Sequence, residues 1–406
     1  MTRTDQWGCP ITAEPDDITA IEQVVGDYLT MSPTIATRMP TLLDAGPLAQ
    51  ATLAMLLTQS HRPAQVAQAR ELAAGAQRDA TEVSQRERHH LDAAVAWADG
   101  RIGDVVDAFG AALAEHPTDL FALRARYLLL FSSGRVPEMV AMLADARQHW
   151  NNDLPLASYL DGMEAFAWEE SGEYRRAEEL GRWGVEQEAG DLWAIHSVAH
   201  VMEMEARRDE GVAWLDGHAG VMGGPGFAGH LWWHRAIQLW AIGRFDEALA
   251  AFDDGVYPPR SEEGLDLTNA ISLLARLESL GVDVGDRWSE LADPAASRVG
   301  QHTQPFNDTH YALALTRAGR LDDGRRLIEG MRAWSQGDDS AAAVLRTVGV
   351  SVAEGMLAFG LGHWQQAVDK FDPVADDVWR LGGSNAQRLF YTIVADTARD
   401  QAGATA

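Results

Sequence analysis

The chain is poor in cysteine, in lysine and in positive charge. Its one cysteine, Cys9, excludes an intrachain disulfide framework and a cysteine-based zinc site. Its one lysine, Lys370, confines Schiff-base chemistry to a residue in an ordinary amphipathic pattern. Basic residues number 33 against 60 acidic, a net charge of −27. A surface that negative repels phosphate backbones and anionic lipid, so neither nucleic acid nor a membrane surface is expected as a partner. The first ten residues hold no apolar signal region, and no later stretch reads as long enough to span a bilayer. A cytoplasmic location is the default expectation. Glycine and proline, 37 and 15 of 406 residues, are too few for a disordered chain. An enzyme made from this chain would work with His, Asp, Glu, Ser, Tyr or Arg.

Strand-like alternation persists nowhere, while helical periodicity is present throughout, so the fold class is all-α. Glycines recur at Gly100, Gly134, Gly172, Gly243, Gly281, Gly319 and Gly362, at steps of 34, 38, 71, 38, 38 and 43 residues. The 71-residue step spans two repeats whose missing midpoint falls near Ala206. Glycine in such a turn suits the left-handed residue that ends a helix. Five residues further on come Val105, Met139, Ala177, Gly211, Ala248, Gly324 and Ala367, which let the second helix of a hairpin pack against the first. Phe109, Phe252 and Phe371 follow four residues later. This period and turn chemistry predict a tetratricopeptide-type solenoid, an α-α superhelix of stacked helical hairpins, in preference to a generic bundle. Residues 1–80 read as an N-terminal helical capping region, with patterns at Ile18–Leu29, Leu48–Thr58 and Ala64–Ala76. Residues 81–393 read as the repeats, and 394–406 as a closing helix and frayed tail.

Five of the 13 histidines lie between residues 196 and 234. His196/His200 and His230/His234 are i, i+4 pairs, which puts each pair on one helix face with Cβ atoms roughly 6 Å apart. In the repeat register these pairs fall on first helices of neighbouring hairpins. There His196, His200 and Glu203 take positions that line the concave groove of such a superhelix. His230 and His90 also take groove-lining positions, His234 and His310 take the position next to one, and Asp308 stands beside His310. Neutral imidazoles complemented by carboxylates bind zinc, iron, manganese or copper. The glutamate that would follow the first histidine of a zinc peptidase is absent, because Ser197 stands there. Glu203 or Asp308 is then the candidate general base or bridging ligand. Three readings stay open at this point: a metal site, a metal-free histidine–carboxylate acid/base site, and a structural or peptide-binding role. His218 sits in a Gly-rich stretch, Gly217–Gly229, that reads equally as a lid over the groove or as a long inter-repeat turn, and His218 as a surface residue or part of that lid. His61, His116, His149, His302 and His363 fall at turns and read as solvated. Most of the 14 tryptophans read as packing between hairpins. Near the end, Gly382-Gly383-Ser384-Asn385 pairs a glycine turn with a helix N-cap and Arg388, where backbone N–H groups could hold an anion.

At these residues the chain resembles the tetratricopeptide repeat protein 38 family. The likeness runs through Arg86-Glu87 with His90, His116 to Leu120, Trp193 to Met204 (WAIHSVAHVMEM), His230 to His234, Phe306 to His310 and Leu381 to Arg388 (LGGSNAQR). The resemblance implies the solenoid fold and singles out His90, His196, His200, His230, His234, His310, Glu203, Asp308 and the Gly382–Arg388 turn. It supplies no reaction. One departure is Ala49-Gln50-Ala51-Thr52, where the family's early hairpin often carries Gly-His. The expectation is a metal-dependent, hydrolase-like enzyme acting on a small polar molecule in the groove. Zinc is the default divalent ion, with iron or manganese as alternatives. His196, His200, His230, His234 and His310 would be the ligands, and Glu203, Asp308 and Arg388 the catalytic groups. His90, Ser384 and Asn385 would be further groove residues. The alternative is a non-catalytic scaffold that binds a peptide or protein.

Overall fold

A computed structural model describes residues 3–223, 227–257, 261 and 263–405. The chain is all-α apart from a short hairpin at its start, and its internal contacts divide it into two compact units, 1–197 and 198–406.

In the first unit, β1 (Arg3–Thr4) pairs antiparallel with β2 (Pro10–Ile11). The helical reading of the N-terminal region misses this hairpin because its strands are two residues long. Asp5 holds the turn by accepting from the backbone N–H groups of Trp7 and Cys9. The helices that follow are α1 (Pro15–Thr30), α2 (Ile35–Arg38), α3 (Gly46–Thr58), α4 (Pro63–Asp79), α5 (Gln85–Ala98), α6 (Ile102–Glu115), α7 (Leu120–Ser132), α8 (Val136–Ala146), α9 (Tyr159–Glu170) and α10 (Tyr174–Gln187). Pairing is mainly between successive helices, as in α3 with α4, α5 with α6 and α9 with α10. The division falls inside α11 (Leu192–Met204), which carries WAIHSVAHVMEM.

The second unit continues with α12 (Arg208–Gly217), α13 (Phe227–Ala241), α14 (Phe245–Ala251), α15 (Gly264–Ser279), α16 (Arg287–Ala296), α17 (Pro305–Arg317), α18 (Leu321–Trp334), α19 (Ser340–Val344), α20 (Val350–Gly360), α21 (Trp364–Phe371) and α22 (Asn385–Thr405). A π-helical turn, Leu345–Gly349, joins α19 to α20. The result is one 21-residue run, Ser340–Gly360, long and apolar enough to cross a membrane by length and composition. This corrects the sequence expectation that no such stretch exists. The run supplies Leu345, Val348, Val352 and Met356 to the core of its unit. The tail expected to fray is helical to Thr405.

The turn chemistry read from the sequence holds. All seven marker glycines have positive φ, from 68° at Gly134 to 85° at Gly172. Ala206, at the missing marker, has φ 57°, so an alanine adopts the same left-handed turn at a cost that glycine avoids. The small residues on the second helices are buried, Val105, Met139, Ala177, Ala248 and Ala367 completely. At Gly211 a Cβ would fall 1.8 Å from Gln238 Oε1, and the Gln238 amide reaches the Ala199 carbonyl at 3.5 Å. The absent side chain on α12 thus makes room for the polar link between α13 and α11. Phe109, Phe252 and Phe371 are buried beside these positions, each contributing about 2–3 kcal/mol of burial.

Candidate metal centre

Two helices supply the site, α11 with His196, His200 and Glu203, and α13 with His230 and His234. All five side chains are at most 4% exposed. Apolar neighbours on the same helices, among them Ile195, Ala199, Val201, Leu231 and Trp233, are buried too. Both helices are therefore enclosed nearly all round, which holds their polar residues away from water.

One ring nitrogen from each of His196, His200, His230 and His234 lies within 4.8 Å of the other three. Four nitrogens around a tetrahedral zinc ion stand about 3.3 Å apart, given bond lengths near 2.0–2.1 Å. The cluster therefore needs only a small contraction to close on an ion, and it could hold a metal ion.

Hydrogen bonds fix which atoms face inward. His234 Nδ1 lies 3.0 Å from Glu203 Oε2. A carboxylate there can only accept, so the His234 proton is on Nδ1 and Nε2 carries a lone pair. His230 Nδ1 lies 3.1 Å from Asn269 Oδ1 of α15, which likewise leaves Nε2 as the lone-pair atom. The two Nε2 atoms then face one another at 3.2 Å. Two lone pairs at that separation repel unless a cation or a proton sits by both. A carboxylate or amide behind a ligating imidazole is the arrangement that orients metal-binding histidines. His230 also stacks on Trp233, with ring centroids 5.2 Å apart and planes 10° from parallel, and the His200 ring lies 4.4 Å from that of His234. Burial pushes the pKa of His230 down to about 3, with His200 adding to the effect and Asn269 opposing it. At neutral pH that ring is uncharged, as a ligand must be.

The other candidate residues stand apart from this group. His310 on α17 donates from Nδ1 to the Phe306 carbonyl at 2.8 Å and stacks on Phe390, centroids 4.5 Å apart. Burial lowers its pKa to about 3. Asp308 pairs with His302, Nδ1 to Oδ2 3.2 Å. Burial raises the Asp308 pKa, and the His302 hydrogen bond opposes the rise. His302 itself is 1% exposed, which corrects the solvated reading. Its Nε2 rests on Gly330, where any Cβ would come within 2.4 Å. His149 and His363 are exposed as expected, while His61, His116 and His218 are half-buried. His218 caps α12 through the Trp214 carbonyl at 2.7 Å. Of the candidate lid, Gly224, Pro225 and Gly226 lie outside the described residues.

His90 in the first unit belongs to a different network. Its Nε2 is 2.7 Å from Asp119 Oδ2, and Arg86 bridges Asp119 at 2.6 Å and Asp5 at 2.9 Å. Ser384 caps α22, accepting from the Gln387 backbone at 3.2 Å, while the Gln387 side chain accepts from the Ser384 N–H at 2.9 Å. Arg388 donates to Asn385 Oδ1 at 2.6 Å and to the Gly383 carbonyl. In these bonds its guanidinium braces its own turn. Asn269 is one residue the sequence reading missed. It lies in a run of buried polar residues on α15 with Asp266, Ser272 and Arg276, and nothing local ties it to a histidine 39 residues earlier.

The chain matches no known family model.

Proposed function

We propose that the chain is a tetratricopeptide-type solenoid of the tetratricopeptide repeat protein 38 kind, with a metal-dependent hydrolytic site for a small polar molecule. The observation that carries this reading is the pair of inward-facing Nε2 atoms on His230 and His234, each held from behind by a hydrogen-bond acceptor. A bound ion there supplies a Lewis acid and lowers the pKa of a bound water. Glu203 orients His234 and keeps its proton on Nδ1, the role its 3.0 Å contact supports, in place of a direct base or bridging ligand. The repeat spacing and the left-handed turns favour the solenoid, and the location expected for such an enzyme is the cytoplasm.

Ligand number sharpens the choice of metal. Four imidazoles complete a tetrahedral zinc shell and leave no open position, which is the arrangement of structural zinc. An iron or manganese ion, which takes more ligands than zinc, would be held by the same four imidazoles with coordination capacity left for further oxygen ligands. Zinc is the default from the donor set, and iron or manganese suits catalysis better.

A second reading, a non-catalytic scaffold for a peptide or protein partner, draws on the burial of all four rings, which suits a structural zinc. Elemental analysis joined to a hydrolase substrate screen separates the two. Iron or manganese with turnover supports the enzyme. Stoichiometric zinc without turnover supports the scaffold. Protein that stays metal-free after supplementation removes both metal readings.

A further inference from the structure

Arg124, on α7, is a buried cation without a hydrogen-bond partner. It is 1% exposed, and none of its three guanidinium nitrogens has an acceptor. Its guanidinium lies over the Trp193 ring, Cζ 4.3 Å from the centroid, with Tyr127 at 5.6 Å. Stacking engages the flat faces of a guanidinium. Its five N–H donors point outward in the plane and remain unmet.

The carboxylate that acts on it electrostatically does not pair with it. Asp191 spends Oδ1 on the N-terminus of α11, accepting from Trp193 and Ala194. Its Oδ2 has no hydrogen bond and lies 2.7 Å from where a Gly162 Cβ would stand. Arg276 in the second unit shows what a structural buried arginine looks like here. It too lies over a tryptophan, Trp233 at 5.4 Å, but it donates to Ser272 and to the Ala386 carbonyl at 2.9 Å.

Two features tie Arg124 to His196. Trp193 also packs against His196, ring centroids 5.3 Å apart, so the same indole touches the guanidinium and a candidate ligand. Arg124 also stands ten residues before the turn residue Gly134, the interval that separates His196 from Ala206 and His90 from Gly100. The repeat register thus presents Arg124 on the same helix face as those histidines.

We infer that Arg124 is an anion-binding residue beside His196, and that the small molecule taken there carries a compact oxyanion group, a carboxylate or a phosphoryl. The planar fork matches two oxygens of either group through parallel N–H bonds, and burial makes those bonds strong. The inference rests on the reading of the histidine cluster as a functional site.

The test titrates the full-length protein with inorganic phosphate and, separately, with succinate, at ionic strength held constant with chloride. Thermal unfolding and calorimetry give the readout. The expected result is saturable stabilisation by at least one of the two, weakened at least tenfold in R124M and partly kept in R124K. R276M serves as a control that keeps the wild-type response. Phosphate alone acting identifies a phosphoryl ligand, and succinate alone a carboxylate. No response beyond ionic strength, or an equal response in R124M, overturns the proposal. Should R124M fail to fold, the wild-type titration and R124K decide, and an undiminished response in R124K counts against the bidentate fork. Metal content is measured on the same samples. Metal without an Arg124-dependent anion effect sinks this inference alone. The anion effect without metal sinks the metal reading and leaves this one standing.

Discussion

Two buried polar constellations in this molecule use similar residues to different ends. In the first unit, Arg86 lies between Asp5 and Asp119, and His90 donates to Asp119, so the strong charges there are met by opposite charges. On α11 and α13, four histidines converge on one point, with the Glu203 carboxylate engaged behind one of them. The first network is electrostatically closed and ties the N-terminal hairpin to α5 and α7. The second gathers four nitrogen donors that could hold a metal ion. Burial of polar groups is costly in either case. In the first network opposite charges on the protein offset that cost, and a metal ion bound among the four histidines would do so in the second.

The largest expected effect separates the two directly. His200→Ala with His230→Ala removes two of four ligands, so metal content falls from near one ion per chain to near zero. His90→Ala leaves it unchanged, as elemental analysis would show. A His90 variant that lost its metal would erase the distinction. Next in size is Arg86→Met, which strands two buried carboxylates. It should cost about 3–5 kcal/mol in urea unfolding without altering metal stoichiometry. Glu203→Gln keeps a hydrogen-bonding group behind His234 but removes the charge. It should weaken metal affinity about 10–100-fold in a chelator competition while leaving the fold intact.

Asp119 and Asp191 extend the comparison to pH. Burial pushes the Asp119 carboxyl up, but Arg86 and His90 together hold it well below the ordinary carboxylate range. Its contribution is present above the unfolded value near 4 and is lost as pH falls. Asp191 has no paired cation, and burial raises it to about 7 against its two backbone hydrogen bonds. The folded state then holds a proton that the unfolded state has lost, so stability falls as pH rises from about 4 to about 7. Asp191→Asn keeps the cap and should flatten that slope, a difference of about 2–4 kcal/mol between pH 5 and pH 8 in chemical unfolding. An unchanged slope would mean that Asp191 is charged when buried. The smallest effect is Ala206→Gly, which relieves a left-handed alanine at the end of α11. It should raise stability by about 0.5–1 kcal/mol and leave both constellations as they are.

The fold class and the turns were legible because they depend on local rules. A left-handed residue, glycine everywhere but at Ala206, marks each of these turns, and in most of them a small or medium apolar residue follows five positions later. Ala206 could be located by period alone. The i, i+4 pairs were legible for the same reason, since one helix face follows from spacing. Partners that depend on tertiary packing were not. Nothing near His230 in sequence announces Asn269, and nothing near Asp308 marks His302 as its buried partner in place of His310. Arg388 read as an anion holder because a glycine turn beside an arginine fits that role, but in the folded chain the turn's own Asn385 and Gly383 take the guanidinium. Arg124 went unremarked because a lone arginine in a helix is ordinary until its burial is known.

The most direct test of the account is elemental analysis of the full chain, purified without a histidine tag, beside the His200→Ala/His230→Ala variant. The account predicts near-stoichiometric zinc, iron or manganese in the wild type and almost none in the folded variant. Wild-type protein that remains metal-free after supplementation with each ion, and melts at the same temperature with or without it, would contradict the account.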